Sequence, residues 1–271
     1  MTLPRKISLW LFALLMIFVV IPSAVMYFFQ GLVVFPVPEA ENPAEAVGGF
    51  APVVITTPDG ERLRAFYSPP GEMQASILVF HGNAETAANQ IPRGEALSKA
   101  GFGVLLVEYR GYGGSTGEPT QDGVILDGLA AYDFLAAQSD QPIGILAHSL
   151  GTGVAIPVAA ARAPFAVVLE APFTSLLAIA RYRMGWAPLD FMMKYPFHND
   201  DVIGEVTAPI LIIHGTADKV IPFEEGETLA ALAPTGTAFI RIEGAGHNNL
   251  GRYGDMKMAT SFFTKALAAD Q

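Results

Sequence analysis

The sequence places a serine where it could act as a nucleophile in acyl transfer. Ser149 follows the apolar run at residues 143–147 and precedes an Ala-rich helical pattern. Small residues two positions to either side, Ala147 and Gly151, suit a sharp turn from strand to helix that lifts the hydroxyl oxygen out of a sheet. A serine here could equally be a helix N-cap. The succession of strand, tight turn and helix favours the nucleophile.

A carboxylate and a base follow the serine, each in a loop after an apolar run. Serine attacks a carbonyl carbon only when a base takes its proton and an acid orients that base. Asp218 follows residues 209–213, and His247 lies in a glycine-containing loop after residues 238–242. Hydrolases with a strand–turn–helix nucleophile have the order serine, acid, histidine. We therefore predict Ser149, Asp218 and His247 as a catalytic triad. The alternative acids are Asp200, Asp201 and Asp255.

Acyl transfer also needs two backbone N–H groups aimed at the oxygen that becomes negative. The residue after the nucleophile, Leu150, is predicted to supply one of them. The loop after the apolar run at residues 76–80 supplies the other, with Asn83 as the predicted donor and Gly82 permitting the backbone path. An ordinary turn is the alternative interpretation of this loop. His148, beside the nucleophile, is predicted to pack against or line the substrate pocket.

The elements that must position these residues alternate along the chain. Short apolar runs of this kind are typical of strands buried on both faces of a parallel sheet. The pattern predicts an α/β fold with a doubly wound, mostly parallel sheet of about eight strands, antiparallel at its first edge. In such sheets the chemistry lies beyond the carboxyl ends of the strands. The predicted strands are 53–57, 62–67, 76–80, 103–107, 143–147, 166–169, 209–213 and 238–242, and the predicted helices are 91–99, 122–137, 152–162, 223–232 and 255–268.

Composition limits the classes of function. Of 271 residues, 51% are hydrophobic and 15% are charged, which is too apolar for a disordered chain. The formal net charge of −10 argues against a nucleic-acid partner, because an acidic domain repels phosphates. The absence of cysteine excludes disulfides, thiolate metal sites and a cysteine nucleophile. His198 with Asp200 and Asp201 lacks a second histidine nearby, so we predict a solvated loop and no metal.

The N-terminus predicts a membrane anchor. Arg5 and Lys6 precede an uncharged run at residues 7–29, long enough to cross a hydrocarbon core of about 30 Å. The positive-inside rule then places the main domain on the non-cytoplasmic side. A cleaved signal peptide, cut near Ser23 and Ala24, is the alternative, but the apolar run continues past these residues. The predicted division is an anchor at 1–30, a linker at 31–50 and one domain at 51–271.

Several strings resemble one family. They are FHGNA at 80–84, YRGYG at 109–113, HSLG at 148–151, EAPF at 170–173, and HG at 214–215 with Asp218. With these strings the chain resembles the α/β-hydrolase superfamily, and more closely its serine hydrolases with a single N-terminal membrane span. The matching strings extend over about residues 78–248. The resemblance implies hydrolysis of an acyl ester, thioester or amide without a cofactor.

A segment rich in methionine and aromatic residues, about 176–206, lies where this fold inserts a cap over the site. Such a surface suits acyl chains, and Trp186 and Met192 are the predicted substrate contacts. A core helix is the alternative interpretation. We expect a membrane-bound serine hydrolase acting on small hydrophobic or lipid-like acyl esters. The alternatives are a peptidase or amidase on the same fold, and a catalytically silent membrane-tethered binding protein.

Overall fold

The computed structural model describes residues 10–14, 16–39, 45–185 and 189–270, which form an eight-stranded sheet with helices on both faces. The strand order is β1-β2-β4-β3-β5-β6-β7-β8. β1 pairs antiparallel with β2, and β2 pairs antiparallel with β4, whereas the other pairings are parallel. The predicted doubly wound sheet with an antiparallel first edge is confirmed. The strands are β1 (Ala51–Thr56), β2 (Arg62–Ser68), β3 (Ser76–Phe80), β4 (Gly103–Val107), β5 (Ile143–His148), β6 (Val167–Glu170), β7 (Ile210–Gly215) and β8 (Ala238–Ile242).

Helices connect the strands and also form the segment after β6. Local sequence fixes where two of them begin. The side chain of Thr120 accepts a hydrogen bond from the N–H of Gly123 and caps the helix that begins at Gln121. Ser175 accepts from the N–H of Ala178 and caps the helix that begins at Leu176. The helices are α1 (Ile21–Val34), α2 (Ile91–Lys99), α3 (Gln121–Gln138), α4 (Thr152–Arg162), α5 (Leu176–Met184), α6 (Leu189–Met192), α7 (Asn199–Val202), α8 (Phe223–Leu232) and α9 (Asp255–Asp270), with 3₁₀ turns at Ala87–Gln90, Ser149–Gly151, Ile203–Glu205 and Leu250–Tyr253.

The core lies on both faces of the sheet. Every residue of β3 and β4 is buried, because helices cover the two sides. Successive residues of a strand point to opposite faces. Leu78 and Phe80 therefore belong to one hydrophobic cluster, whereas Ile77 and Val79 belong to the other. This arrangement explains why the strands have continuous apolar runs, and it fixes the carboxyl ends from which the site loops leave.

The strand boundaries differ from the predicted ones at a few ends. β1 ends one residue before the predicted position because Thr57 forms the turn: its hydroxyl lies 2.5 Å from a carboxylate oxygen of Asp59 and accepts from the N–H of Glu61 at 2.9 Å. β7 continues to Gly215, where a β-carbon would lie 2.3 Å from the carbonyl oxygen of Ala245. The absence of a side chain there lets the loop after β8 pack against the end of β7.

The N-terminal segment is helical and bent. Within the described part of the chain, no helix alone has both the length and the apolar character needed to cross a membrane. The pieces Trp10–Val25 and Tyr27–Val34 meet these requirements together, with a bend of 46° between them. A π-helical turn spans Met16–Val20. Arg5 and Lys6, on which the predicted orientation depends, lie outside the described residues.

The predicted linker is packed against the domain at both of its ends. α1 continues to Val34, four residues past the predicted anchor boundary. Phe35 is only 2% exposed and Phe50 only 1% exposed, and both belong to the hydrophobic core. The end of the apolar N-terminal segment is therefore held against the domain, because two aromatic side chains of the predicted spacer are buried there.

Candidate active site

The candidate nucleophile lies on a sharp turn between β5 and α4. Ser149 has φ of +53°, in the left-handed region that L-residues seldom adopt. A β-carbon on Gly151 would lie 2.6 Å from the carbonyl oxygen of Phe80. Ala147 is fully buried on β5. The small residues on either side of the serine thus allow the backbone to turn this tightly, in the strand–turn–helix arrangement expected from the sequence.

The structure brings together the three side chains of the predicted triad. Ser149 Oγ lies 2.8 Å from Nε2 of His247, and Nδ1 of the same ring lies 2.7 Å from Oδ2 of Asp218. The loops after β5, β7 and β8 supply these residues. Because these strands are parallel, all three loops leave the sheet on the side where the carboxyl ends of the strands lie. The hydroxyl, imidazole and carboxylate form one continuous hydrogen-bonded chain. Such a chain can move a proton from the serine to the ring.

Asp218 is held in its ionised form. Its side chain is fully buried, which opposes ionisation, but contacts with His214 and His247 outweigh burial and hold its pKa well below the ordinary value. The backbone N–H groups of Val220 and Ile221 also donate to Oδ1, at 2.8 and 2.9 Å. A permanently charged carboxylate next to Nδ1 fixes the ring so that Nε2 faces the serine.

The alternative acids have partners of their own. Asp255 lies 3.7 Å from the guanidinium of Arg93, and Asp200 lies 3.6 Å from Nδ1 of His198. The potential ligand atoms of His198, Asp200 and Asp201 lie within 4.8 Å of one another. Clusters of exposed acidic groups are common in proteins without a metal, so this grouping alone assigns no metal site.

His148 lies between the candidate nucleophile and the loop that carries the base. Its Nε2 is 3.2 Å from the carbonyl oxygen of His247, and the two rings are 5.0 Å apart. Burial, together with repulsion from His247 and Arg93, lowers the pKa of His148 to about 3. The neutral ring donates its Nε2 proton to the carbonyl and so supports the loop. His148 also borders the cavity that contains Ser149.

Both predicted oxyanion donors border the cavity that contains Ser149. Asn83 lies in the loop after β3, and Leu150 follows Ser149 in the turn between β5 and α4. A β-carbon on Gly82 would lie 2.9 Å from Nδ1 of His148, so a glycine is needed for the loop to come this close. The N–H of Gly82 donates to the carboxylate of Glu85 at 3.0 Å, which fixes the loop.

A cavity of about 660 Å³ opens beside the serine. Its cap wall includes Met184 and Met193. Within the described part of the chain, the expected Met192 does not border this cavity, whereas its neighbour Met193 does. The carbonyl of Met192 accepts a hydrogen bond from Gln30. Trp186 lies outside the described residues. Further lining residues are Leu176, Ile179, Ala180, Val220 and Ile221.

The sequence did not indicate that α1 also lines the cavity. Val33 and Val34, at the end of this helix, belong to the cavity wall. Their residue types are those of any apolar anchor, and no motif distinguishes them. Only the packing of α1 against the cap reveals this contribution.

Two fully buried carboxylates, Asp127 and Glu170, are each paired with an arginine. Arg110 lies 2.8 Å from the fully buried carboxylate of Asp127 and 2.8 Å from that of Asp59. Arg93 pairs with Glu170, whose pKa is raised by burial despite this cation. Arg110 and Glu170 therefore belong to structural ion-pair networks, because each buried charge has a partner of opposite sign.

Comparisons with known proteins agree with this architecture. Residues 71–194 match the serine aminopeptidase S33 family, and residues 177–264 match the alpha/beta hydrolase family. The chain belongs to the α/β-hydrolase family. The strand–turn–helix arrangement around Ser149 in this α/β-hydrolase is the one that the serine hydrolases of the family have around their nucleophile.

The similarity to known proteins covers most of the hydrolase chain. An uncharacterised protein of Mycobacterium tuberculosis is 36% identical over 219 residues, which cover 79% of this chain and 77% of that protein. The lysophosphatidylserine lipase ABHD12 of Macaca fascicularis is 35% identical over 186 residues. Those residues cover 61% of this chain, which spans only about half the length (47%) of that lipase. The Pyrococcus furiosus esterase Pf2001 shares the fold, with a TM-score of 0.68 at 20% identity, over 80% of this chain and 93% of the esterase.

Proposed function

We propose that this α/β-hydrolase cleaves acyl esters through a covalent acyl-enzyme on Ser149. The observation that carries the proposal is the hydrogen-bonded chain from Ser149 through His247 to Asp218, at 2.8 and 2.7 Å. A serine hydroxyl is a weak nucleophile at neutral pH, and a base within hydrogen-bond distance is what activates it. The buried, ionised carboxylate stabilises the positive charge that the ring gains when it takes the proton.

The steps follow from the positions of these groups. Ser149 Oγ attacks the ester carbonyl carbon while its proton moves to Nε2 of His247. The carbonyl oxygen becomes negative and accepts hydrogen bonds from the N–H groups of Asn83 and Leu150. The intermediate expels the alcohol, which takes the proton from His247. Water then gives a proton to the same ring as its oxygen attacks the acyl carbon. The bond between Ser149 Oγ and the acyl group breaks, Oγ takes the proton back from His247, and the carboxylic acid leaves.

The cavity favours a hydrophobic acyl group as substrate. Met184 and Met193 line it with other apolar side chains of the cap and of α1. Flexible methionine side chains adapt to chains of different shape, and about 660 Å³ lies within the usual range for small-molecule sites. The name of the lipase relative, which acts on lysophosphatidylserine, points in the same direction. Lipid-like esters are therefore the proposed substrate class.

A membrane location fits the apolar surface of the protein. Phe191 of the cap is 90% exposed and Tyr182 is 75% exposed, and aromatic side chains of this kind favour a membrane interface. We propose that residues 1–30 anchor the hydrolase domain, on the non-cytoplasmic side. The protein should stay with membranes after alkaline carbonate washing and keep its encoded N-terminus. Release by the wash, or a new N-terminus near Ser23, would support the cleaved signal peptide.

A fluorophosphonate probe tests the nucleophile. It should label the wild type and the control Ser139→Ala, whose serine is exposed on the surface, but not Ser149→Ala. A panel of p-nitrophenyl esters from C2 to C16 tests the reaction, with aminoacyl anilides as a second panel. Turnover of the esters is expected. Turnover of the anilides alone would indicate an aminopeptidase, and absence of both labelling and turnover would indicate a binding protein.

A further inference from the structure

The end of the N-terminal helix is joined to the cap through one polar side chain. Gln30 is only 8% exposed, in a helix that is otherwise almost entirely apolar. Its Nε2 donates to the carbonyl of Met192 at 3.0 Å, and its Oε1 accepts from the N–H of Lys194 at 2.7 Å. Nε2 also contacts the carbonyl of Tyr27 at 3.0 Å. A buried amide without partners would be destabilising, but here both ends of the amide bind the cap backbone.

Aromatic and cationic contacts continue the joint on both sides of Gln30. The ammonium of Lys194 lies 4.3 Å from the centre of the Tyr27 ring, within the range of a cation–π interaction. Beyond α1, the buried ring of Phe35 packs edge-on against Tyr195 at 5.2 Å and against Phe197 at 6.1 Å. These contacts are made by Tyr27, Gln30 and Phe35, which extend from the middle of α1 to the residue after it. The last part of α1 is therefore fixed against the cap.

The joint places the final turn of α1 in the wall of the active-site cavity. Val34 is partly buried against the core cluster, and Val33, at 76% exposure, lies at the rim. Both border the same cavity as Ser149 and Met193. An anchor that served only to tether the domain would need neither a buried glutamine clamp nor a place in this wall. The position of α1 relative to the serine is therefore part of the site.

We infer that the last turn of α1 forms part of the acyl-binding wall, with Val34 setting the length of acyl chain that fits and Gln30 holding that turn against the cap. This inference rests on the proposed esterase function and assigns to the anchor segment a share in substrate selection. Val34 touches the space that the acyl group occupies, whereas Gln30 acts through the position of the helix. An ester whose chain passes Val34 is bound along α1, at the side of the domain from which the anchor leaves.

The test uses the full-length protein in detergent micelles and p-nitrophenyl esters from C4 to C16. Val34→Trp fills the part of the cavity beside α1, so the ratio of kcat/KM for the C12 ester to that for the C4 ester should fall at least tenfold. Val34→Ala enlarges this part of the cavity and should move the chain length with the highest kcat/KM to longer chains. Leu32→Trp is the matched control, because Leu32 is on the same turn but is 70% exposed and is not among the residues that border the cavity. Its profile should equal that of the wild type.

Gln30→Leu tests the clamp at nearly constant volume. The KM of the variant for long esters should rise severalfold while its kcat stays close to that of the wild type, since a less firmly held α1 weakens binding of the acyl chain. A general loss of folding would instead lower kcat for every ester. Val34 variants with the profile of Leu32→Trp would overturn the inference and leave the esterase function intact. If the wild type hydrolysed no ester, the proposed function itself would be wrong, and this inference with it.

Discussion

The carbonyl oxygen of Phe80 lies 2.6 Å from the point where a β-carbon on Gly151 would stand. Phe80 ends β3 and leads into the loop with the proposed oxyanion donor Asn83, whereas Gly151 ends the turn that carries Ser149. The close approach of the two backbones therefore fixes the spacing between the nucleophile and the donor that faces it. No residue larger than glycine preserves this spacing without moving one of the two segments.

Gly151→Ala should disturb both folding and catalysis. The added methyl group meets backbone atoms, which cannot move aside as a flexible side chain would, so we expect a loss of about 1–3 kcal/mol in the free energy of unfolding. We also expect kcat/KM to fall at least tenfold. Urea unfolding and ester hydrolysis measure the two effects. Gly204→Ala is the control, because its β-carbon would meet only the carbonyl of Leu232, at an ordinary 3.7 Å. Equal behaviour of the two variants would contradict the steric argument.

Asp218→Asn should lower kcat by about 10³–10⁴, because an amide cannot stabilise the positive ring or impose the same tautomer on His247. The burial of the side chain should change little, since the two groups have nearly the same volume. Steady-state kinetics on a short ester would measure the loss. Asp201→Asn, at an exposed position of α7, is the control and should keep wild-type activity. A fall of less than tenfold in Asp218→Asn would point to a different acid.

His148 should make the protein less stable in acid. Its pKa falls from an ordinary 6.5 to about 3 on folding, mainly through burial. The unfolded chain therefore binds a proton below pH 6.5 that the folded protein refuses, so this contribution to stability is intact above pH 6.5 and is lost as the pH falls toward 3. Allowing for partial exposure, we expect a loss of about 2 kcal/mol between pH 7 and pH 4.

His148→Gln removes this titration while keeping a hydrogen-bond donor near the carbonyl of His247. Urea unfolding at pH 7 and pH 4 should show a smaller loss of stability on acidification in the variant than in the wild type, by that same amount. An identical loss in both proteins would mean that His148 is protonated as readily in the folded state as in the unfolded chain.

Arg110→Met should be strongly destabilising, because it leaves the fully buried carboxylate of Asp127 without its cation. Breaking one side of a buried pair typically costs about 3–5 kcal/mol. The surface pair between Arg162 and Asp133 provides the comparison, with its two side chains 36% and 55% exposed. Arg162→Met should cost about 1 kcal/mol or less. Similar losses in the two variants would contradict the assigned difference in burial.

Much of the fold could be predicted from local pattern. The bounds of β3 and β4 were expected from apolar runs alone, since a strand covered on both faces has no alternation to obscure it. The ends of β1 and β7 were missed, because hydrogen bonds of Thr57 and the close packing at Gly215 decide them. Both depend on residues that lie beyond the periodic part of the strand.

The sequence by itself determined the α/β class and the order in which Ser149, Asp218 and His247 follow their strands, because apolar periodicity and strand-end loops are local properties. Tertiary structure decided the rest of the cavity. Met193 lines it where Met192 was expected, and Val34 joins it from a segment predicted to be only an anchor. Which apolar side chain faces a cavity depends on how α1 and the cap pack together, and one Val or Met along the chain is chemically the same as the next.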